Sequence, residues 1–362
     1  MRIFALRGAA IVLALIVGAS ADAQTWPYDG TYFVHGFNDN PTRFDATPAA
    51  LIERRVDLRS VRTPWLSAQA SVATQASQLR SFLSAYRFAE DSLVIVGHSM
   101  GGVVARNEYL RNSAGMGALV TLGSPHRGAP AAAEGARFEQ YVRLTTRRAV
   151  AAISPLLVIG PVLDKFLQDF FESLVGRLFV DGLAFTSPAA VDLRPTSTTM
   201  QVQYAARGDA ALRRANVLGS IPPRNAVFYV FASAVRKDNK ASEWIGWKSV
   251  LKSYAKTCKH VSYATIVLFE RGRRCARLDR SLGALDNVWL GATNGYVGRR
   301  PRQVPSDGFI PHDHSEYPSS GPIYREVVTG VNHNNLPYNP ASVNAIARAL
   351  FAVGAQQLPL SP

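Results

Sequence analysis

The sequence predicts an α/β fold built on a mostly parallel central sheet with helices on both faces. Three observations carry that expectation. Continuous apolar runs such as "SLVIV" and "GALVTLGSP" have the composition of strands buried on both faces. Segments with apolar residues at helical spacing stand between such runs, the alternation that builds parallel sheets. From Val94 to Val104, "VIVGHSMGGVV", an apolar run halts at a serine held between glycines and resumes with a helical pattern.

The elements follow in order. Arg2 and Arg7 open a basic start, "GAAIVLALIVGAS" is an apolar run too short for a good spanning helix, and "ADAQ" offers a small-x-small cleavage site after Ala23. Residues 1–23 are therefore expected to be a secretory signal peptide, with 24–362 a single domain of a secreted or periplasmic protein. No cysteine lies in the leader to carry a lipid, and no stable transmembrane anchor is expected. "GTYFVHGF" predicts a strand over Thr31–Val34, and "SVRTPWL" a second, short one. Between Ser71 and Tyr86, Val72, Ala76, Leu79, Phe82, Leu83 and Tyr86 recur at helical spacing. "SLVIV" is the next strand, "MGGVVARNEYLR" a helix and "GALVTLGSP" a buried strand. "NAVFYVFASAV" and "YREVVTGV" read as late strands, and the last helix begins with Asn339 as N-cap and Pro340 in its first turn.

Two regions break the alternation and read as insertions between core strands. The first, about 131–197, is expected to be a helical cap, with Phe166, Phe170, Phe171, Leu174 and Leu178 on one helix face. The second, about 236–302, is basic, has few clean periods and contains both cysteines of the chain, Cys258 and Cys275. In an exported protein such a pair suggests one disulfide.

Composition narrows the classes of function. The chain is 47% hydrophobic and 18% charged, which suits a globular core and excludes a disordered one. Its formal charge is +14; removing Arg2, Arg7 and Asp22 with the leader leaves +13. That excess favours anionic partners, including an anionic interface. Arg and Lys are scattered, and no nucleic-acid-binding module is recognisable. The short basic stretches "RRVDLR" and "RGRRCARLDR" read as solvated surface.

Gly-x-Ser-x-Gly at Gly97–Gly101 is a weak pattern alone. Between a strand and a helix it has the context of a nucleophile elbow. There the serine is forced into a strained backbone conformation, and side chains at Gly97 and Gly101 would collide with the adjacent strand and helix. A serine hydroxyl needs a base to take its proton and an acid to orient that base. Of seven histidines, His333 in "TGVNHNNLP" follows the last strand and precedes the last helix, where the base of such a fold is expected. Asp307, in the Gly- and Pro-bounded turn "PSDGFIP", is the favoured acid, with Asp192 and Asp238 as competitors. Backbone N–H groups of Met100, after the serine, and Phe37, in "HGF" after the first strand, are the expected oxyanion donors. "HDHSE" at His312–Glu316 reads as a turn-rich loop; no metal site and no cofactor are expected.

"VHGF", "GHSMGG", "TLGSPHRGAP", "DGFIP" and "VNHNNL" together resemble bacterial lipases and related esterases of the α/β-hydrolase superfamily. The resemblance covers Tyr32–Pro130 and Asp307 to about Phe351. It implies Ser99 as nucleophile, Asp307 as acid, His333 as base, and an eight-stranded, mostly parallel sheet with a helical cap. The sequence departs from that pattern at Ser306, where Gly more often precedes the acid, and in the cysteine-bearing insertion. The expected function is a serine carboxylester hydrolase acting on acyl esters of lipids, through an acyl-enzyme intermediate. The alternatives are a small-ester esterase, an acyltransferase, and a non-catalytic cationic surface binder.

Overall fold

The computed structural model describes residues 28–355 except 55, 87, 90, 113–114, 154–185, 207, 209–210, 228, 231–240, 264–268 and 318–322. The expected leader, the phenylalanine face of the first insertion and Asp238 lie outside the described residues.

Five strands form the central sheet: β1 (Gly30–Val34), β2 (Leu93–His98), β3 (Met116–Leu122), β4 (Arg213–Ser220) and β7 (Ile323–Thr329). They lie in the order β1-β2-β3-β4-β7, and every neighbouring pair is parallel. Each parallel step needs a crossover, and helices supply it. Alternate strand residues feed two cores. Phe33, Val94, Val96, Val120 and Val217 pack against α1 (Thr47–Glu53) and α10 (Pro340–Ala355). Tyr32, Val34, Ile95 and Leu119 pack against α2 (Val72–Ser84) and α3 (Met100–Arg111). A sheet covered on both sides explains why "LVIV" shows no polar alternation.

Local chemistry sets the helix ends. The Ser71 hydroxyl accepts from the Thr74 N–H at 3.1 Å to start α2, and the Asn339 side chain accepts from the Ala341 N–H at 2.9 Å to start α10.

Three sequence expectations change. The described sheet has five strands where the resemblance implied eight. "SVRTPWL" makes only one isolated bridge, Arg62 to Tyr32, because Pro64 has no N–H to extend a ladder. "NAVFYVFASAV" is not the late strand: Asn225 is in a turn, Ala226–Val227 and Tyr229–Val230 are helical, and residues 228 and 231–235 are outside the described residues. Pro222 and Pro223 break the chain just before it, and Asn225 adopts a left-handed φ of 63°. The strand is "RRANVLGS" instead, one segment earlier. Its polar residues disguise it. Asn216 donates to the Ser315 carbonyl at 2.6 Å and accepts from the Thr121 hydroxyl at 3.1 Å. The buried Arg214 guanidinium sits 5.1 Å from the Tyr317 ring centre.

Outside this core, the chain between β3 and β4 forms α4 (Pro130–Ile153), α5 (Pro188–Asp192) and α6 (Thr198–Ala205). The chain between β4 and β7 forms α7 (Ala241–Tyr263), α8 (Phe269–Asn294), a small hairpin of β5 (Tyr296–Val297) and β6 (Arg300–Pro301), and α9 (His312–Ser315). Helix α8 packs on both α4 and α7, so segments far apart in sequence make one helical layer. A disulfide between Cys258 and Cys275 joins α7 to α8.

Candidate active site

Ser99 stands between the end of β2 and the first turn of α3, with φ 52° and ψ −126°. A non-glycine residue holds that left-handed conformation only where its surroundings over-determine it. Here they do. A Cβ on Gly97 would lie 2.5 Å from Gly102 Cα, and one on Gly101 would lie 2.3 Å from the Val34 carbonyl oxygen. Strand and helix therefore meet backbone to backbone. The Ser99 N–H donates to the Leu122 carbonyl at 2.9 Å, fastening the turn to β3.

His333 lies just after β7 at the start of a short 3₁₀ turn, His333–Asn335, capped by the Asn332 side chain. Its main chain is held at both ends. Its N–H donates to the Asp307 carbonyl at 2.9 Å, and its carbonyl accepts from His98 Nε2 at 2.9 Å. Asp307 comes from the loop before β7. Its Oδ1 accepts from the Phe309 and Ile310 N–H groups at 3.0 and 2.7 Å. That leaves Oδ2 to accept from His333 Nδ1 at 2.6 Å. With its proton on Nδ1, His333 presents a bare Nε2, which accepts from the Ser99 hydroxyl at 2.9 Å. Hydroxyl, imidazole and carboxylate thus form one continuous chain from three separate loops.

The Phe309 ring stacks on His333 with centres 5.4 Å apart. Trp289 of α8 donates to the Gly308 carbonyl at 3.0 Å, tying the helical layer to the loop that carries Asp307. Met100 occupies the first position of α3, where the N–H has no partner within the helix. A Cβ on Gly36 would sit 2.9 Å from Ser99 Cβ, so the backbone leading to Phe37 runs against the serine.

The competing groups have other partners. The Asp192 carboxylate accepts from the Val72 N–H and the Thr199 hydroxyl at 2.8 and 2.9 Å, fastening the start of α2. His35 accepts from the Leu66 N–H at 3.2 Å. His312 and His314 donate to the Gly219 and Gly128 carbonyls, each at 2.7 Å, and Asp313 pairs with Arg302. Among the described residues, no group of three or more His, Cys, Asp or Glu is arranged to hold a metal. Burial holds the His98 imidazole well below its ordinary pKa, reinforced by the neighbouring His333, so His98 remains a neutral donor.

Sequence reasoning missed Gly123. Its φ is +58°, and a Cβ there would lie 2.7 Å from Asp307 Oδ2 and 3.2 Å from His333 Nδ1. The signal was the glycine closing "TLGSP": a tight turn at the end of a central strand. Phe309 and Trp289 had no comparable signal.

The sheet order, the strained serine between strand and helix, and the helices on both faces define an α/β-hydrolase fold. Residues 57–159 match the family model described as a PGAP1-like alpha/beta domain. No curated protein matches the chain in sequence. Among solved structures, the chain is similar to the mature form of Bacillus licheniformis lipase BlEst2. That match has 11% identity and a TM-score of 0.45, over 90% of this chain and 92% of that one. It is also similar to a pyrethroid hydrolase from Sphingobium faniae JZ-2, with 12% identity and a TM-score of 0.37 over 90% and 98% of the two chains. A metagenomic carboxyl esterase gives 15% identity and a TM-score of 0.37 over 59% and 57%.

Proposed function

We propose that the protein is a secreted serine carboxylester hydrolase acting on acyl esters of lipids, with Ser99 as nucleophile, His333 as base and Asp307 as acid. The observation that carries this reading is the unbroken Ser99–His333–Asp307 hydrogen-bond chain, with His333 Nε2 turned to the hydroxyl.

The reaction follows from that geometry. Ser99 Oγ attacks the carbonyl carbon of the ester while His333 Nε2 takes the hydroxyl proton. The carbonyl oxygen becomes an oxyanion, received by the N–H groups of Phe37 and Met100. Collapse breaks the ester C–O bond, and His333 gives its proton to the departing alcohol. Water then attacks the acyl-enzyme as His333 takes its proton; the acyl C–Oγ bond breaks, His333 returns the proton to Ser99 Oγ, and the carboxylic acid leaves. Asp307 fixes the imidazole tautomer and stabilises the imidazolium.

Export is supported by the leader-like sequence of residues 1–23 and by the disulfide, which belongs to an oxidising compartment. Among the described residues no helix is long and apolar enough to cross a membrane. Lipid esters are favoured by the phenylalanine-rich helical pattern of the first insertion, an apolar face suited to acyl chains.

Hydrolysis of p-nitrophenyl esters of increasing acyl length, with and without an interface, tests the reading. Turnover by the wild type should rise with chain length and with the interface. Ser99→Ala should remain folded and lose about 10⁴-fold or more in rate. A Ser99→Ala variant with near-native turnover would refute the nucleophile. A wild-type preference for short soluble esters would refute the lipid substrate alone.

A further inference from the structure

The carboxylate is not the only group set against His333. Two rings also lie beside its imidazole: His98, with centres 4.9 Å apart, and Phe309, with centres 5.4 Å apart and planes inclined by 27°. His98 is buried and neutral, and its Nε2 is spent on the His333 carbonyl. Phe309 has no polar group to spend. Its stacked ring presents the negative face of an aromatic quadrupole to the imidazole.

We infer that Phe309 is a positioning residue for the reaction: its ring face stabilises the positive charge that His333 carries once it has taken the Ser99 proton. The inference rests on the Ser99–His333–Asp307 mechanism proposed above. A cation within about 6 Å of a ring centre is attracted to the face, and the attraction grows where water is excluded. His333 and Asp307 are buried and Phe309 is half-buried, so little water screens the contact. The imidazole is neutral before the hydroxyl proton moves and cationic in the transition state. An interaction that appears only with the charge lowers the barrier without deepening the ground state. Asp307 supplies such an interaction at the edge of the imidazole, through Nδ1, and Phe309 supplies one over its plane.

The loop holds the ring in place. The Phe309 N–H donates to Asp307 Oδ1 at 3.0 Å, so one residue both grips the acid and covers the base. Gly308 has a φ of +89°, and a Cβ there would lie 2.5 Å from Ile221 Cδ1 and 2.8 Å from Val230 Cγ2, so the turn is pressed onto its neighbours. Trp289 of α8 donates to the Gly308 carbonyl at 3.0 Å, and its own ring stands 6.2 Å from that of Phe309 at 57°. Hydrogen bond and ring contact together limit how far Phe309 can turn from the imidazole. A leucine at this position would fill similar space and offer no quadrupole.

Fluorination of the ring separates charge from shape. Mono-, di- and trifluorinated phenylalanines, introduced at position 309 of the full chain, withdraw electron density from the ring face step by step and nearly keep its outline. The readout is the rate at which a fluorophosphonate labels Ser99. In that reaction Oγ attacks phosphorus, His333 takes the hydroxyl proton and fluoride leaves. The rate should fall with each added fluorine, to roughly fivefold below the wild type with three. Phe309→Leu should be slower by roughly tenfold. Should that variant misfold, the fluorinated series gives the answer without it. Trifluorinated phenylalanine at Phe82, whose ring packs on Tyr32 from α2, should leave the rate close to the wild type. Labelling of the wild type but not of Ser99→Ala supports the mechanism whatever the series shows. A labelled wild type whose rate stays level across the series overturns the inference alone, even if Phe309→Leu is slow, because the ring would then only fill space. A folded wild type that takes up no probe overturns the mechanism and this inference with it.

Discussion

The carboxyl edge of the sheet and the outer helical layer are held by different means. At the sheet edge, backbone does the positioning. His333 is fixed through its own N–H and carbonyl, Asp307 is gripped by two main-chain amides, and Gly97, Gly101 and Gly123 leave no room for a methyl group. In the helical layer, side chains and one disulfide do it. Arg148 and Tyr141 reach Ser281, Lys248 reaches Asp286 at 2.9 Å, and Cys258 is bonded to Cys275. Substitutions at the edge should therefore damage rate through small displacements. Substitutions in the layer should damage stability and leave the chemistry in place.

The sharpest way to break this contrast is at Asp307, the proposed acid. Asp307→Asn keeps the shape and removes the charge that stabilises the imidazolium. Turnover should fall on the order of 10⁴-fold. Asp192→Asn, which alters the fastening of α2 and α6, should retain most of its activity. Equal losses in an ester-hydrolysis assay would show that the acid is misassigned.

Gly123→Ala should come next. The added methyl presses on the carboxylate–imidazole contact, and a displacement of about 1 Å there costs on the order of 10²-fold in kcat. A melting curve separates that loss from unfolding.

The layer is tested by Cys258→Ser/Cys275→Ser. The disulfide spans a separation of 17 residues, and in the chain-entropy model a loop of that size contributes about 3 kcal/mol. Denaturant unfolding should show that loss while kcat/KM stays close to the wild type. A dead but stable variant would mean the layer controls the chemistry.

The smallest effect concerns His126, buried, with neither ring nitrogen finding a hydrogen-bond partner among the described residues. Burial holds its pKa well below the ordinary value, with Arg106 adding to the effect. The unfolded chain therefore binds a proton below about pH 6.5 that the folded state refuses, so stability falls as the pH drops through that value. His126→Leu should flatten part of this fall, seen as a smaller difference in denaturant midpoint between neutral and mildly acidic buffer. His98 contributes in the same direction and keeps some slope in the variant.

Legibility in the sequence follows the same division. The elbow was readable because its demands are local: a buried strand, two glycines and a helix within eleven residues. His333 and Asp307 were readable from their positions around the last strand. Strand β4 was not, because Arg213, Arg214 and Asn216 mimic a loop until Ser315, Thr121 and Tyr317 arrive as partners from elsewhere in the chain. The run that reads as a strand, "NAVFYVFASAV", has strand composition, yet the prolines ahead of it and its own left-handed first residue, Asn225, start a helical turn.

The central claim is that Ser99 is a nucleophile activated by His333. Labelling with a fluorophosphonate probe, followed by peptide mapping, tests it most directly. The account predicts one probe per molecule, attached to the peptide containing Ser99, with no labelling of Ser99→Ala and slowed labelling of Asp307→Asn. A folded wild-type protein that takes up no probe, or takes it up at another residue, would contradict it.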